Sequence, residues 1–258
     1  MRDAINPVIK LAAQVDSPHG CEVYELVREM SRRHASQSVD KISGLFYLLR
    51  TTKLPCYDEK MTSDDFWRHC FHLLPVERKA EILFDFPYRG SDKQWFPTWA
   101  QMLDWPERDP SLHQMRSQSS RGLMGDVPGE SSFFVCNLWT IPHVVLDETE
   151  NSDEYEVSIG DRQFSFYQPY LSQKPISIQG RPELTLAIAI ADFGHAHNWV
   201  VCEAIEGKRV GRDIGLVGVA EVHVLKKVGV IRTDDCSELL VGRENGLPLL
   251  QKMDCLFI

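Results

Sequence analysis

No stretch of this chain holds the roughly 18 consecutive apolar residues of a membrane-spanning helix, so no membrane span is expected. The first twenty residues, MRDAINPVIKLAAQVDSPHG, lack the unbroken apolar centre of a secretory signal. Cysteine pairing motifs are missing too. The seven cysteines (Cys21, Cys56, Cys70, Cys136, Cys202, Cys236 and Cys255) are odd in number, scattered, and form no C-x-x-C pair. That excludes a compact disulfide framework and fits small buried thiols in a reducing compartment, so a cytoplasmic protein is expected. Positive charge is also short: 28 Lys and Arg against 37 Asp and Glu give a net charge of −9, which disfavours a nucleic-acid partner. There is no internal repeat, no G-x-S-x-G nucleophile turn and no G-x-x-x-x-G-K-[ST] phosphate loop.

What is present divides the 258 residues into unlike parts. The first third carries helical periodicity. Val23, Leu26, Val27 and Met30 recur three and four apart, predicting an amphipathic helix over about 20–34. A second helix is expected from Ser38 through Ile42, Leu45, Phe46 and Leu49, with Gly44 permitting close approach of a neighbour. Thr62-x-x-Asp65 has the form of a capping box and opens a third helix whose Phe66, Cys70, Leu73 and Leu74 face inward. A short fourth helix is expected over Glu77–Phe84.

Glu81 to Pro106 then concentrates three of the six tryptophans, Trp95, Trp99 and Trp105, with three phenylalanines and three prolines. Large aromatic areas of this kind anchor packing between the chain segments on either side of them. Residues 107–132, rich in Ser, Gln, Gly, Pro and Arg, read as a loop or linker. From 133 to 258 short apolar runs bounded by turn residues predict strands near 133–139, 143–146, 155–159, 163–167, 184–191, 198–205, 216–225 and 228–231. Within them Tyr155, Val157 and Ile159 alternate with polar residues before Gly160-Asp161, and Phe164 and Phe166 alternate on the return. This is a β-hairpin with one wet face. The fold class is therefore α+β: a helical part with an aromatic clamp (1–106), then a β-rich domain (133–258) of antiparallel sandwich or barrel-like form.

The residues offer three candidate sites. Asp192, His195, His197 and His223, with Cys202 as a further ligand, are the side chains from which a zinc site for a metal-dependent hydrolase would be built. His-x-His on a strand puts both imidazoles on one face. The plainer reading is a turn between two strands, with no cofactor. Trp95, Phe96, Trp99 and Trp139 are candidates for an aromatic groove that takes a small ligand, a carbohydrate or a partner, against the plainer reading of a packed clamp. Gly207, Gly211, Gly215 and Gly218 lack the order of a phosphate loop and read as a connection. Cys70 and His72, two apart, point to different sides of a helix. Asp64-Asp65 suits the positive end of a helix dipole, and Asp85 is placed for an ion pair with Arg89.

Several motifs occur in a suggestive order: Glu29-Met-Ser-Arg-Arg-His34, Val39-Asp-Lys-Ile-Ser-Gly-Leu-Phe-Tyr-Leu-Leu49, Leu54-Pro-Cys-Tyr-Asp58 and Trp95-Phe-Pro-Thr-Trp-Ala-Gln101. They resemble the segment downstream of the signature core of fungal heterokaryon-incompatibility (HET) proteins. Trp139-Thr-Ile-Pro-His143 and Lys227-Val-Gly-Val-Ile-Arg-Thr233 resemble the variable tail of basidiomycete members. The signature strands themselves, and with them the acidic residue of the NAD-cleaving chemistry associated with such cores, are not found in this chain. The resemblance thus implies the downstream part of a HET-type protein. It would be a non-catalytic accessory, regulatory or interaction region, with a protein partner or the missing core to act on. The process it implies is self/non-self recognition leading to cell death.

Overall fold

The computed structural model describes residues 23–49, 51, 60–86, 95–108, 134–148, 154–159, 162–167, 184–188, 197–210, 221–233, 243–244, 247–248 and 251–257. Helices form where apolar residues recur three and four apart. In α1 (Val23–Arg32) the buried residues include Val23, Leu26, Val27 and Met30, the predicted stripe. In α2 (Ser38–Leu48) Val39, Ile42, Leu45 and Phe46 are buried. Gly44 lets Met30 of α1 approach α2 closely: a Cβ built there would lie 2.7 Å from Met30 Cε.

Among the described residues two helices begin with side-chain caps. Before α3 (Ser63–Phe71) the Asp65 amide donates to Thr62 Oγ1 at 3.1 Å, as the capping-box pattern predicts. Before α5 (Trp99–Arg108) the cap is reciprocal: the Gln101 amide donates to Thr98 Oγ1 at 3.2 Å and the Thr98 amide to Gln101 Oε1 at 2.8 Å. Asp64 Oδ1 also accepts the Trp99 amide at 3.0 Å, so one of the two paired acids at the start of α3 serves the N-terminus of α5. Between them, α4 (Val76–Asp85) lends Glu81 to α1, its Oε2 accepting the Val23 amide at 3.1 Å. The ion pair expected between Asp85 and Arg89 lies outside the described side chains.

The aromatic stretch closes this bundle. Phe71 and Phe96 stack with ring centroids 3.8 Å apart, and Trp67 and Trp99 lie 5.4 Å apart. Both indoles satisfy their N–H groups internally, Trp67 on the Pro97 carbonyl at 2.7 Å and Trp99 on Ser38 Oγ at 3.1 Å. Trp95 reaches across to Phe257 of the last strand, centroid to centroid 6.5 Å.

The strands are β1 (Phe134–Glu148), β2 (Glu154–Ile159), β3 (Arg162–Tyr167), β4 (Leu184–Ile188), β5 (His197–Val210), β6 (Glu221–Thr233), β7 (Arg243–Glu244), β8 (Leu247–Pro248) and β9 (Gln251–Phe257). The expected hairpin is β2–β3, registered Ile159 on Arg162, with Tyr155, Val157 and Ile159 buried and Glu154 and Glu156 exposed. Two pairs of expected strands are each one continuous strand, β1 and β6, and β9 has no counterpart among the expected strands.

Pairing closes the sheet on itself. The order β2-β3-β6-β5-β4-β1 returns to β2 through a β1–β2 ladder, a barrel-like ring of six. Among the described residues its thinnest seam is the single pair Tyr167–Arg232 between β3 and β6. The last strand, β9, pairs antiparallel with β1 and parallel with β6, closing a second ring with β4 and β5. Among the described residues the sheet is antiparallel apart from this β6–β9 ladder.

Alternation along the shared strands feeds two apolar clusters. Trp199 and Val201 of β5 join Tyr155, Val157 and Phe166 in one; Val200 and Cys202 join the helices in the other. Helical part and sheet therefore share a core. Lys227 of β6 pins the contact. It is 2% exposed, and its ammonium donates to the carbonyls of Ile82, Leu83 and Phe86 at 3.4, 2.6 and 2.5 Å, where α4 ends.

The expected linker, 107–132, lies outside the described residues but for 107–108 at the end of α5. No described helix is long and apolar enough to cross a membrane.

Candidate functional site

A proline inside a strand removes a ladder donor. In β1 that proline is Pro142, and the register against β4 slips there: Ile141 faces Leu186, while the next pair is Val144 with Leu184. One extra residue is accommodated as a bulge, and His143 takes φ 56°, the left-handed region. A second slip lies on β5, where Ala204 faces Leu225 but Lys208 faces His223, leaving two extra residues. Bulges bend strands away from their partners and concentrate at barrel rims and functional sites.

Between these bulges is a cleft of about 490 Å³. It is walled by β1, β4, β5, β6 and β9, the five strands of the second ring. Its polar lining includes His143, Thr185, His223 and Gln251, and its apolar lining includes Leu184 and Met253. Thr140, also in the wall, donates its hydroxyl to the Gln251 carbonyl at 3.2 Å and approaches Met253 Sδ at 2.7 Å, tying β9 to β1. The volume falls within the roughly 300–1,000 Å³ range of small-molecule sites.

Cys255 is the only described cysteine of the wall, and its thiol donates weakly to the Met253 carbonyl at 3.7 Å. Burial, reinforced by the nearby Asp254 carboxylate, pushes the thiol up to about 12. Cys202, behind it, is raised well above the ordinary thiol value, first by burial and then by Cys255, with Lys227 opposing. In α3 burial pushes Cys70 up to about 12. Each is thus held as the neutral thiol, the unreactive form.

Of the residues singled out for zinc, Asp192 and His195 lie outside the described residues. His197 begins β5 opposite Thr233, and His223 sits ten residues back along β6, half-buried, in the cleft wall. The register holds these two at opposite ends of the β5–β6 ladder, about 33 Å apart along an extended strand. Among the described residues no group of three His, Cys, Asp or Glu side chains is arranged to hold a metal ion. Of the aromatic set, Trp95, Phe96 and Trp99 are 3%, 0% and 2% exposed within the helical core, whereas Trp139 packs against the other cluster. These four do not share one surface. Of the glycine-rich stretch expected as a connection, Gly207 to Val210 continue β5. The remainder, 211–220, lies outside the described residues.

Sequence reasoning passes over His143, Thr185, Gln251 and Met253 as site residues. One local signal points to the first of them, the Pro142-His143 dipeptide interrupting a strand pattern, and none points to the other three. Comparison with known proteins yields no matching family model, no matching curated protein and no matching solved structure.

Proposed function

We propose that this chain is a non-catalytic binding region whose β-rich part is the receptor. In the role that its motifs imply by resemblance, it would be an accessory or regulatory region of a HET-like protein acting in self/non-self recognition. The observation that supports this reading best is the bulge-rimmed cleft. Its lining offers hydrogen-bonding and apolar groups, a composition suited to recognition. The thiol in its wall is held neutral, which removes its nucleophilic form.

The test is mass spectrometry on the protein isolated from its source cells, under denaturing and native conditions. A denaturing mass above 29.6 kDa is expected for a chain continuing into a HET-type core. A native mass exceeding the denaturing one, with the excess lost in Ala204→Trp, is expected if the cleft is the receptor. Ala204 is exposed and lines the cleft, so an indole there obstructs the opening without disturbing the core. Hydrolytic turnover that stays with the pure chain through successive columns overturns the non-catalytic reading.

A further inference from the structure

We propose that Cys136 and Cys255 form a reversible disulfide that fastens β9 to β1, made under oxidising conditions and released under reducing ones. The strand register carries the proposal. Along the antiparallel β1–β9 ladder, residues Phe134 to Thr140 pair with Phe257 to Gln251 without a slip, and Cys136 stands directly opposite Cys255. Directly opposed residues of an antiparallel pair have Cα atoms about 4.5 or 5.5 Å apart, and both spacings lie within the roughly 4.4–6.8 Å that a disulfide spans. Such residues also share one face of the sheet. In this register that face is the one packed on the helices. Cys255 and Phe257 lie in the shared core, as does Leu138 of the neighbouring pair, with its partner Met253 packed against it.

Among the described ladders this is the one place where a cysteine faces a cysteine. Cys202 faces Thr185 on one side and Lys227 on the other, and Cys70 lies on α3. Cys255 is a free thiol. A bond between residues 136 and 255 closes a loop of about 120 residues, a length at which a disulfide strongly restricts the unfolded chain. It also holds β9, which supplies Gln251, Met253 and Cys255 to the cleft wall, to β1. With oxidised glutathione as the oxidant, the chemistry is two successive thiol–disulfide exchanges. The Cys136 thiolate attacks one sulfur of oxidised glutathione, forming a mixed disulfide and releasing one glutathione thiolate. Cys255 then gives up its proton and attacks the Cys136 sulfur, releasing the second. Two electrons pass from the protein thiols to glutathione, and the two thiol protons leave with it. Burial holds Cys255 protonated, so the second exchange sets the rate.

The experiment equilibrates the full chain in glutathione buffers of rising oxidised fraction. Each buffer is approached both from the native protein and by refolding from urea, so that slow access to a buried thiol cannot hide the equilibrium. After an acid quench, the remaining thiols are blocked with iodoacetamide in urea and the digest is mapped by mass without reduction. The expected product joins the peptides of Cys136 and Cys255, two hydrogens lighter than the pair, and is absent from Cys136→Ser. The urea midpoint of the oxidised protein should exceed that of the reduced protein by at least about 1 M, with the gain lost on reduction and not seen in Cys136→Ser. Bridges between other cysteines that leave these two alkylated, glutathione held on Cys136 without transfer to Cys255, or no bridge by either route overturns the proposal. A Cys136–Cys255 bridge that leaves the midpoint unchanged or lower also overturns it, since the bond would then be working against the ladder it is proposed to fasten.

Discussion

Replacing Lys227 by methionine tests how the helical part is held to the sheet. The ammonium sits in the shared core at 2% exposure, with short bonds to the Leu83 and Phe86 carbonyls and a longer one to Ile82. A helix leaves its last four carbonyls without intrahelical donors, and its C-terminal end carries partial negative charge, so a cation is doubly suited to this position. Hydrogen bonds to a charged group contribute about 1.5–3 kcal/mol each, which puts the two short ones at roughly 3–6 kcal/mol together. Against that stands the cost of burying an ammonium, which methionine avoids while keeping most of the aliphatic stem. Truncation also strands carbonyls in the core, at about 1–3 kcal/mol apiece. The expected net loss for Lys227→Met is about 2–4 kcal/mol, and Lys227→Gln, which keeps an N–H donor, should recover part of it. Urea unfolding followed by both tryptophan emission and far-UV circular dichroism measures this. With an m value of about 2–3 kcal/mol/M, the midpoint should fall by about 1 M. Hydrogen exchange should show the end of α4 opening ahead of the rest. A midpoint equal to or above that of the unmodified protein refutes the reasoning, because it would mean that desolvation of the ammonium outweighs the bonds it makes.

Thr98→Ala removes one half of the reciprocal cap on α5 and should cost about 1 kcal/mol in the same assay; Thr98→Ser should cost little. Gly44→Ala places a methyl against Met30 Cε, the flexible end of a side chain, while improving helix propensity by about 0.8–1.0 kcal/mol; the two effects should leave stability within about 1 kcal/mol, and a loss above about 3 kcal/mol would show that α1 and α2 cannot adjust. Alkaline stability should depend on Cys255, whose thiol is raised from 9.0 to about 12. Above about pH 9 the unfolded chain releases a proton that the folded chain retains. The thiol's contribution is therefore complete below about pH 9 and declines as pH rises toward about 12, by up to about 1.4 kcal/mol per unit. Cys255→Ala should lose stability less steeply than the unmodified protein between about pH 9 and 10.5, and parallel slopes would count against the burial of this thiol. For the same reason Cys70, Cys202 and Cys255 should resist iodoacetamide at about pH 7.5 until urea unfolds the chain, as read by peptide mass mapping.

The parts of this structure that are legible in the sequence are those whose causes lie within one turn of chain. The Thr62 cap needs only Asp65, three residues on, and the β2–β3 hairpin needs only alternation on either side of Gly160-Asp161. The aromatic stretch is legible as a clamp for a related reason: side chains so large must be buried somewhere, and Phe96 and Trp99 are. Strand β1 reads as two because its apolar runs, near 133–139 and 143–146, are separate in the sequence; the ladder carries on past Pro142, which lacks a donor, by bulging. Strand β9 escapes a sequence reading because what holds it is remote. Its partners, Phe134–Thr140 and His223–Leu225, are more than a hundred and about thirty residues away respectively, and nothing in Gln251–Phe257 announces them. The cleft has the same dependence. His195 and His197 draw attention as sequence neighbours, whereas His143 and His223 are eighty residues apart and share a wall because β9 lies between β1 and β6. Closing that second ring turns a strand interruption at Pro142 into a rim and brings His223 of β6 into the same wall. The chemistry of the site is thus a product of topology, and disturbing β9 should remove the cleft while leaving the β2–β3 hairpin, which makes no ladder with it, in register.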